Sequence, residues 1–424
     1  MTQSSVPQWR KDALEAAAGI AGNEAVAAAL RDIEAEHELR IAQQTELSQI
    51  PSPPFGETAR GEHFAEMLRK EGASDVTIDP TGNVIGRLRG TGEGPVLVIA
   101  AHLDTVFPAG TDCTVRREGS MLYGPGISDD ACGLAVLLQI CRTAVRHGLK
   151  TVGDIVLVGT VGEEGNGDLR GSKALWAAPN DYDGFIAIDS AAVTRILKGS
   201  VGCKRFRITF TGPGGHSLHK FGISGSAIHV LCRAGAKIDQ VEVPAEPKCT
   251  FNIGVIKGGT SVNAIAASAS MELDIRSMDN DGLELITSRI LPLIDEAVRE
   301  ENAYWHLEGE NAVKAEIVQI GDRPAGVNRD DSPVVHASYG AMQALGIPLE
   351  KFAFAATDQN VPLALGVPAT TLGGGGTEFF NHSVKEHWDS AGAFRGPQLA
   401  LLTALTLTGV EGLSEPLLEK RDHS

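Results

Sequence analysis

The sequence predicts an α/β fold, a mostly parallel sheet flanked by helices, with an inserted α+β domain carrying an antiparallel sheet. Three observations carry that expectation. Short, continuous apolar runs of strand length recur at PVLVIAA (95–101), DIVLVGTV (154–161), FIAID (185–189) and PATTL (368–372). Such runs suit strands covered on both faces, as in a buried parallel sheet. Helical stretches separate them, and strand–helix alternation is the signature of a parallel α/β layer. Between 201 and 321 the pattern changes to alternation of apolar and polar residues, at CKRFRITF (203–210), CTFNIGVI (249–256) and SASMELDIR (268–276). That pattern predicts an antiparallel sheet with one solvated face and helices on the other.

In chain order, residues 10–48 are rich in Ala, Glu and Leu, with Leu14, Ile20, Val26, Leu30 and Ile33 near helical spacing, and predict one or two long amphipathic helices. Pro51, Pro53 and Pro54 end that region. A helix follows over about 57–71, then a short strand near Val76–Ile78 and a turn at 80–83. Ala131–His147 reads as a helix, as do about 224–238, 281–300 and 390–405. The polar tail after Gly412 is expected to fray. The expected division is a first catalytic segment over 1–200, an inserted domain over 201–321, and a second catalytic segment over 322–424.

Composition narrows the function. The 424 residues suggest two or three domains, and a hydrophobic fraction of 42% supports packed cores rather than disorder. With 37 basic and 54 acidic side chains the formal charge is −17, which argues against nucleic acid or an anionic membrane surface as the main partner. It is compatible with a site that gathers carboxylates around a cation. No long apolar run suits a membrane span. Met1 to Arg10 is polar and lacks the apolar stretch of a secretion signal. The six cysteines are scattered, form no C-x-x-C, and read as buried free thiols in a reducing, cytoplasmic setting.

The chemistry-bearing residues follow the apolar runs, where open α/β sheets bind their ligands. His102 and Asp104 follow the first run. Asp129 and Asp130 open a helix after a Gly-Pro-Gly turn. Glu163 and Glu164 follow the second run, Asp189 the third, and His382 lies beyond the fourth and a stretch of glycines. Taken singly, each has an ordinary reading: a solvated loop acid, a helix cap at Asp129–Asp130, an exposed turn at Glu163–Glu164. Jointly, acids gathered at one sheet edge repel one another unless a cation neutralises them. Histidines with Asp and Glu, and no Cys in the motifs, suit Zn²⁺ first, with Mn²⁺ or Co²⁺ as alternatives. The ligand candidates exceed one tetrahedral zinc and suit two ions roughly 3.5–4 Å apart with a bridging carboxylate and water.

These motifs, H-L-D-T (102–105), G-P-G-I-S-D-D (124–130), E-E-G-N-G-D-L-R-G (163–171), G-P-G-G-H-S (212–217) and N-H-S-V-K-E (381–386), resemble those of the co-catalytic di-metal peptidase and deacylase family. That family includes peptidase T, bacterial glutamate carboxypeptidase, acetylornithine deacetylase, succinyl-diaminopimelate desuccinylase and aminoacylases. The resemblance runs from about 40 to 410. It implies the metal-dependent exopeptidase fold, with His102, Asp129, Glu164, Asp189 and His382 as metal ligands and Asp129 bridging. It further implies Glu163 as general base and Asp104 orienting His102 through the second ring nitrogen. In the insert, His216 is implied to stabilise the oxyanion in a partner subunit's site, making the chain a homodimer through that domain. Asn263 and Arg276 match positions that contact substrate, and Gly374 and Gly375 are placed with them. An ordinary reading of His216 is a turn histidine, and of Arg276 a strand-end salt bridge.

Two departures touch the surroundings: Ala131-Cys132 after the acidic pair, and Gln359 in T-D-Q-N (357–360). They leave the substrate open. The expected activity is hydrolysis of a peptide or amide C–N bond in a small peptide or amino-acid-like substrate, most like a tripeptide aminopeptidase. Rival readings are a deacylase or aminohydrolase acting on an N-acyl amino acid or small non-peptide compound, and a non-catalytic metal-binding scaffold. A phosphate-binding loop and a G-x-S-x-G nucleophile are both missing from the sequence.

Overall fold

The computed structural model describes residues 10–423; the reading of the extreme N-terminus falls on 1–9, outside the described residues. The chain forms two compact units. Residues up to Ser200 and from Val327 onward make one, and Val201–Gly326 make the other.

The first unit is built on a six-stranded sheet in the order 74–78, 84–88, 154–160, 96–102, 184–188, 369–372. The last four strands in that order are parallel neighbours, and the hairpin of 74–78 and 84–88 adds antiparallel pairing at one edge. Every residue of Val96–His102 and of Asp154–Thr160 is buried. The alternation shows why an unbroken apolar run is needed. Leu97, Ile99 and Ala101 join the core beneath one helical layer, and Val96, Val98 and Ala100 join a second core with Trp176, Tyr182 and Phe185.

The N-terminal region forms three helices, Lys11–Gly22, Glu24–Ala35 and His37–Ser48, rather than one or two. Asn23 leaves the helical conformation and its side chain accepts from the Ala25 and Val26 amides, so a new helix starts there. The tail does not fray. Leu418 is buried, the Leu417 and Leu418 amides bond to Thr406 and Leu407, and the Arg421 amide and the His423 ring bond to the buried Asp183 carboxylate. Polarity of the segment concealed one apolar anchor and one buried acceptor.

The second unit carries a four-stranded antiparallel sheet in the order 249–258, 268–277, 202–211, 314–323. The strand Lys314–Arg323 runs past the expected boundary at 321 and pairs with 202–211 as far as Arg323 opposite Cys203. Phe206, Ile208 and Phe210 face a core shared with helices Ala227–Asp239 and Asn280–Tyr304. On the solvated face Arg205 pairs with Asp274 and Arg207 with Glu272, each across the register.

Among the described residues, no helix is long and apolar enough to cross a membrane. All six cysteines are free; Cys232 is exposed, contrary to expectation, because it lies on a helix of which only one face meets the sheet.

Candidate metal centre

The parallel strands place the predicted ligands at one edge of the first unit. His102 is the last residue of Val96–His102. Glu163 and Glu164 follow Asp154–Thr160, and Asp189 follows Gly184–Ile188. Asp129 and Asp130, joined by a cis peptide, precede the helix Ala131–Arg146. Asp130 caps that helix through the Gly133 amide, and its other oxygen accepts from the His102 amide at 3.1 Å, tying helix start to strand end. His382, in a left-handed backbone conformation at φ 63°, lies in the turn joining Thr377–Phe379 to His387–Asp389.

These residues converge. His102 Nε2 lies 2.9 Å from Asp129 Oδ1, and His382 Nε2 lies 3.1 Å from Asp129 Oδ2 and 3.0 Å from Glu164 Oε1. Asp129 thus turns one oxygen to each histidine, the disposition of a bridging carboxylate. Ligand atoms of His102, Asp129 and Asp189 lie within 4.8 Å of one another, as do those of Asp129, Glu164 and His382, and those of His102, Glu163 and Glu164. The first two groups define two adjoining positions that share Asp129; Glu163 stands beside them.

Asp104 meets the second ring nitrogen of His102, but through its main chain rather than its carboxylate. The His102 Nδ1–H donates to the Asp104 main-chain carbonyl at 2.9 Å, while its carboxylate lies 3.7 Å from that nitrogen. The carboxylate instead accepts the Glu163 and Glu164 amides, both at 2.9 Å. One residue therefore fixes the imidazole with its backbone and the paired glutamates with its side chain.

The electrostatics suit a cation. Burial, with the Asp129 charge beside it, pushes Asp189 up to about 7. Hydrogen bonds to Asp129 and Glu164 push His382 up to about 11. Burial opposes the charge on His102, yet the Asp129 hydrogen bond and the charges of Asp130, Asp129 and Asp104 raise it well above the usual imidazole range. Imidazole nitrogens and carboxylate oxygens at these spacings are the donor set of Zn²⁺ and similar divalent ions. The residues fit such a group.

The framework behind the centre is cationic and largely unread in the sequence. Arg60, fully buried, donates to the Leu103, Ile50 and Ser48 carbonyls. Arg40 donates to the Gly374 and Ala393 carbonyls and to the Cys132 sulfur. Gly374 and Gly375 spend their amides on the Ser190 and Ala191 carbonyls, so both are framework positions rather than free amide donors to substrate. Gln359 bridges the Gly199 carbonyl and the Thr371 hydroxyl. Glu386, the last residue of N-H-S-V-K-E, is buried behind the Asp129 turn; its place four residues after His382 was the available signal.

His216, Asn263 and Arg276 lie in the second unit. Gly215–His216 pairs with Ala264–Ile265, His216 Nδ1 accepts the Leu218 amide, and the Asn263 carbonyl accepts the Ser217 amide. His216 is exposed. Arg276 Nε donates to Asp274 at 2.7 Å, so part of its guanidinium is held in the strand-end salt bridge.

The fold and the ligand clusters define a metal-dependent hydrolase. The chain belongs to Peptidase family M20/M25/M40, whose sequence profile matches residues 98–402. It is 25% identical over 347 residues to succinyl-diaminopimelate desuccinylase of Corynebacterium glutamicum, covering 78% of this chain and 87% of that one. It is 28% identical over 208 residues to carboxypeptidase G2 of a Pseudomonas species, covering 48% of this chain and 49%, about half, of that relative. Its fold resembles a Staphylococcus aureus tripeptidase with a TM-score of 0.71 at 22% identity, covering 87% and 97% of the two chains.

Proposed function

We propose that this protein hydrolyses the C–N bond of a small peptide, most like a tripeptide aminopeptidase, using two divalent ions, Zn²⁺ before Mn²⁺ or Co²⁺. The observation that carries the proposal is Asp129, with one carboxylate oxygen directed to His102 and the other to His382. His102 and Asp189 would hold one ion, Glu164 and His382 the other, with Asp129 common to the two groups. The ions, when bound, supply Lewis acidity for the scissile carbonyl and acidify a water. Glu163, kept in place by the Asp104 carboxylate on its amide, would take a proton at a carboxylate oxygen from the water whose oxygen bonds to the scissile carbonyl carbon, and would deliver it to the nitrogen that leaves as the C–N bond breaks. His382 has a side chain 57% exposed, which leaves the centre open to substrate. Asn263 and the rest of the Arg276 guanidinium hold the substrate, whose carboxylate suits an arginine fork.

The second unit pairs two subunits in a cytoplasmic homodimer, and His216 serves the partner's site as an oxyanion donor. A second reading, deacylation of an N-acyl amino acid, is favoured by the long match to a desuccinylase.

A substrate panel tests the proposal: di- and tripeptides, N-acyl amino acids and small aromatic amides, each with Zn²⁺, Mn²⁺ and Co²⁺. Tripeptide turnover that chelation abolishes and metal restores is the expected result. Full activity with elemental analysis near zero metal overturns the two-ion reading; turnover confined to acyl amino acids selects the second reading.

A further inference from the structure

The carboxylate of Glu386 is 1% exposed, and its hydrogen bonds all come from donors of the turn 126–129. Its Oε2 accepts the Gly126 amide at 2.8 Å, and its Oε1 accepts the Ser128 amide at 3.0 Å, the Ser128 hydroxyl at 2.7 Å and the Asp129 amide at 3.2 Å. These are the amides of the turn that presents Asp129. The Asp129 carboxylate, with its oxygens directed to His102 and His382, is aimed by its backbone, and that backbone hangs on Glu386.

The same residue closes the loop that presents His382. Its amide donates to the Ser383 carbonyl at 2.8 Å, and its carbonyl accepts the Gly124 amide at 3.1 Å. The Ser128 hydroxyl also lies 3.3 Å from Asn381 Oδ1, beside His382. Two loops far apart in sequence, one carrying Asp129 and the other His382, both members of the Asp129–Glu164–His382 group that forms the outer metal position, are therefore stitched together at one side chain and its own peptide groups. An acceptor-only group is required there. Placing another carboxylate close to Asp129 is electrostatically unfavourable, and the hydrogen bonds offset that cost.

We infer that Glu386 is a positioning residue that sets the spacing of Asp129 and His382 and so the affinity of the outer metal position. The inference rests on the two-ion reading above. Residues that orient metal ligands typically change metal affinity by about 10–100-fold when altered. Glu386→Gln keeps the volume but turns an NH₂ toward an amide donor; Glu386→Ala removes all the acceptors; Ser128→Ala removes one donor.

The experiment is a Co²⁺ titration of the metal-depleted full-length protein, followed by calorimetry and by visible absorption of bound Co²⁺. His382→Ala identifies which binding step is the outer one. In Glu386→Gln and Glu386→Ala that step weakens about 10–100-fold and its absorption band changes, with a smaller change of the same kind in Ser128→Ala. If Glu386→Ala does not fold, the Gln and Ser128 variants carry the comparison. Parent affinities and parent spectra in these variants, with only a lower melting temperature, overturn the inference and leave Glu386 a fold residue. A parent protein that takes up no second Co²⁺ overturns the two-ion reading instead.

Discussion

In the proposed reaction Asp104 positions and Glu163 carries the chemistry, and the two roles can be separated. Asp104 presents both carboxylate oxygens to main-chain donors, so its side chain holds the Glu163–Glu164 pair in place. Glu163 is buried beside His102 and Glu164 and belongs to neither of the groups that share Asp129. A glutamine at 163 keeps the volume and loses the basic oxygen. Glu163→Gln is expected to bind metal as the parent does while kcat falls by about 10²–10⁴; steady-state kinetics beside elemental analysis check both halves. Asp104→Asn is expected to act otherwise, because its NH₂ group faces an amide donor and displaces the glutamates. Metal content and kcat should then fall together.

The helix Ala131–Arg146 shows what an element contributes. Its first turn is crowded: a Cβ built on Gly133 meets both Asp130 carboxylate oxygens at 2.5 Å and the Ile188 carbonyl at 2.6 Å. Glycine there lets the helix start approach the strand that leads to Asp189. Gly133→Ala should destabilise the protein by about 1–3 kcal/mol, seen as a lower denaturation midpoint, and should loosen the cap that holds the His102 amide. The four parallel strands of the first unit and this helix were legible because their residues are predominantly apolar without a break. The break at Asn23 and the anchored tail were less so, since each depends on one or two side chains finding distant or local partners. The candidate ligands, which the structure brings together, were legible because each follows an apolar run or opens a helix. Arg40, Arg60 and Glu386 were not, because their partners are mostly main-chain atoms, which leave no residue-type signature.

At the scale of the whole molecule, the proposal that His216 crosses to a partner has a direct test. His216→Ala removes one oxyanion donor, a loss of roughly 10²–10³ in kcat. Mixing it with Glu163→Gln under subunit exchange yields dimers in which one site has a native base and, only if the histidine comes from the other chain, a native His216. Recovered activity is the expected outcome. Proven heterodimers that stay inactive assign His216 to its own subunit or to the fold.

Vectorial synthesis meets this chain topology in an unusual order. The first unit is discontinuous, interrupted by Val201–Gly326, whose own first and last strands are register partners, Cys203 opposite Arg323. The interrupting unit is complete before the ribosome has made the strand Ala369–Leu372 or the turn that carries His382. Domains generally fold as units during synthesis, so the middle of the nascent chain should resist protease while its beginning is still cut. Stalling translation after residue 368, then releasing the finished chain, with brief proteolysis each time, should yield a protected central fragment from the stalled chain and resistance of the entire chain only after release.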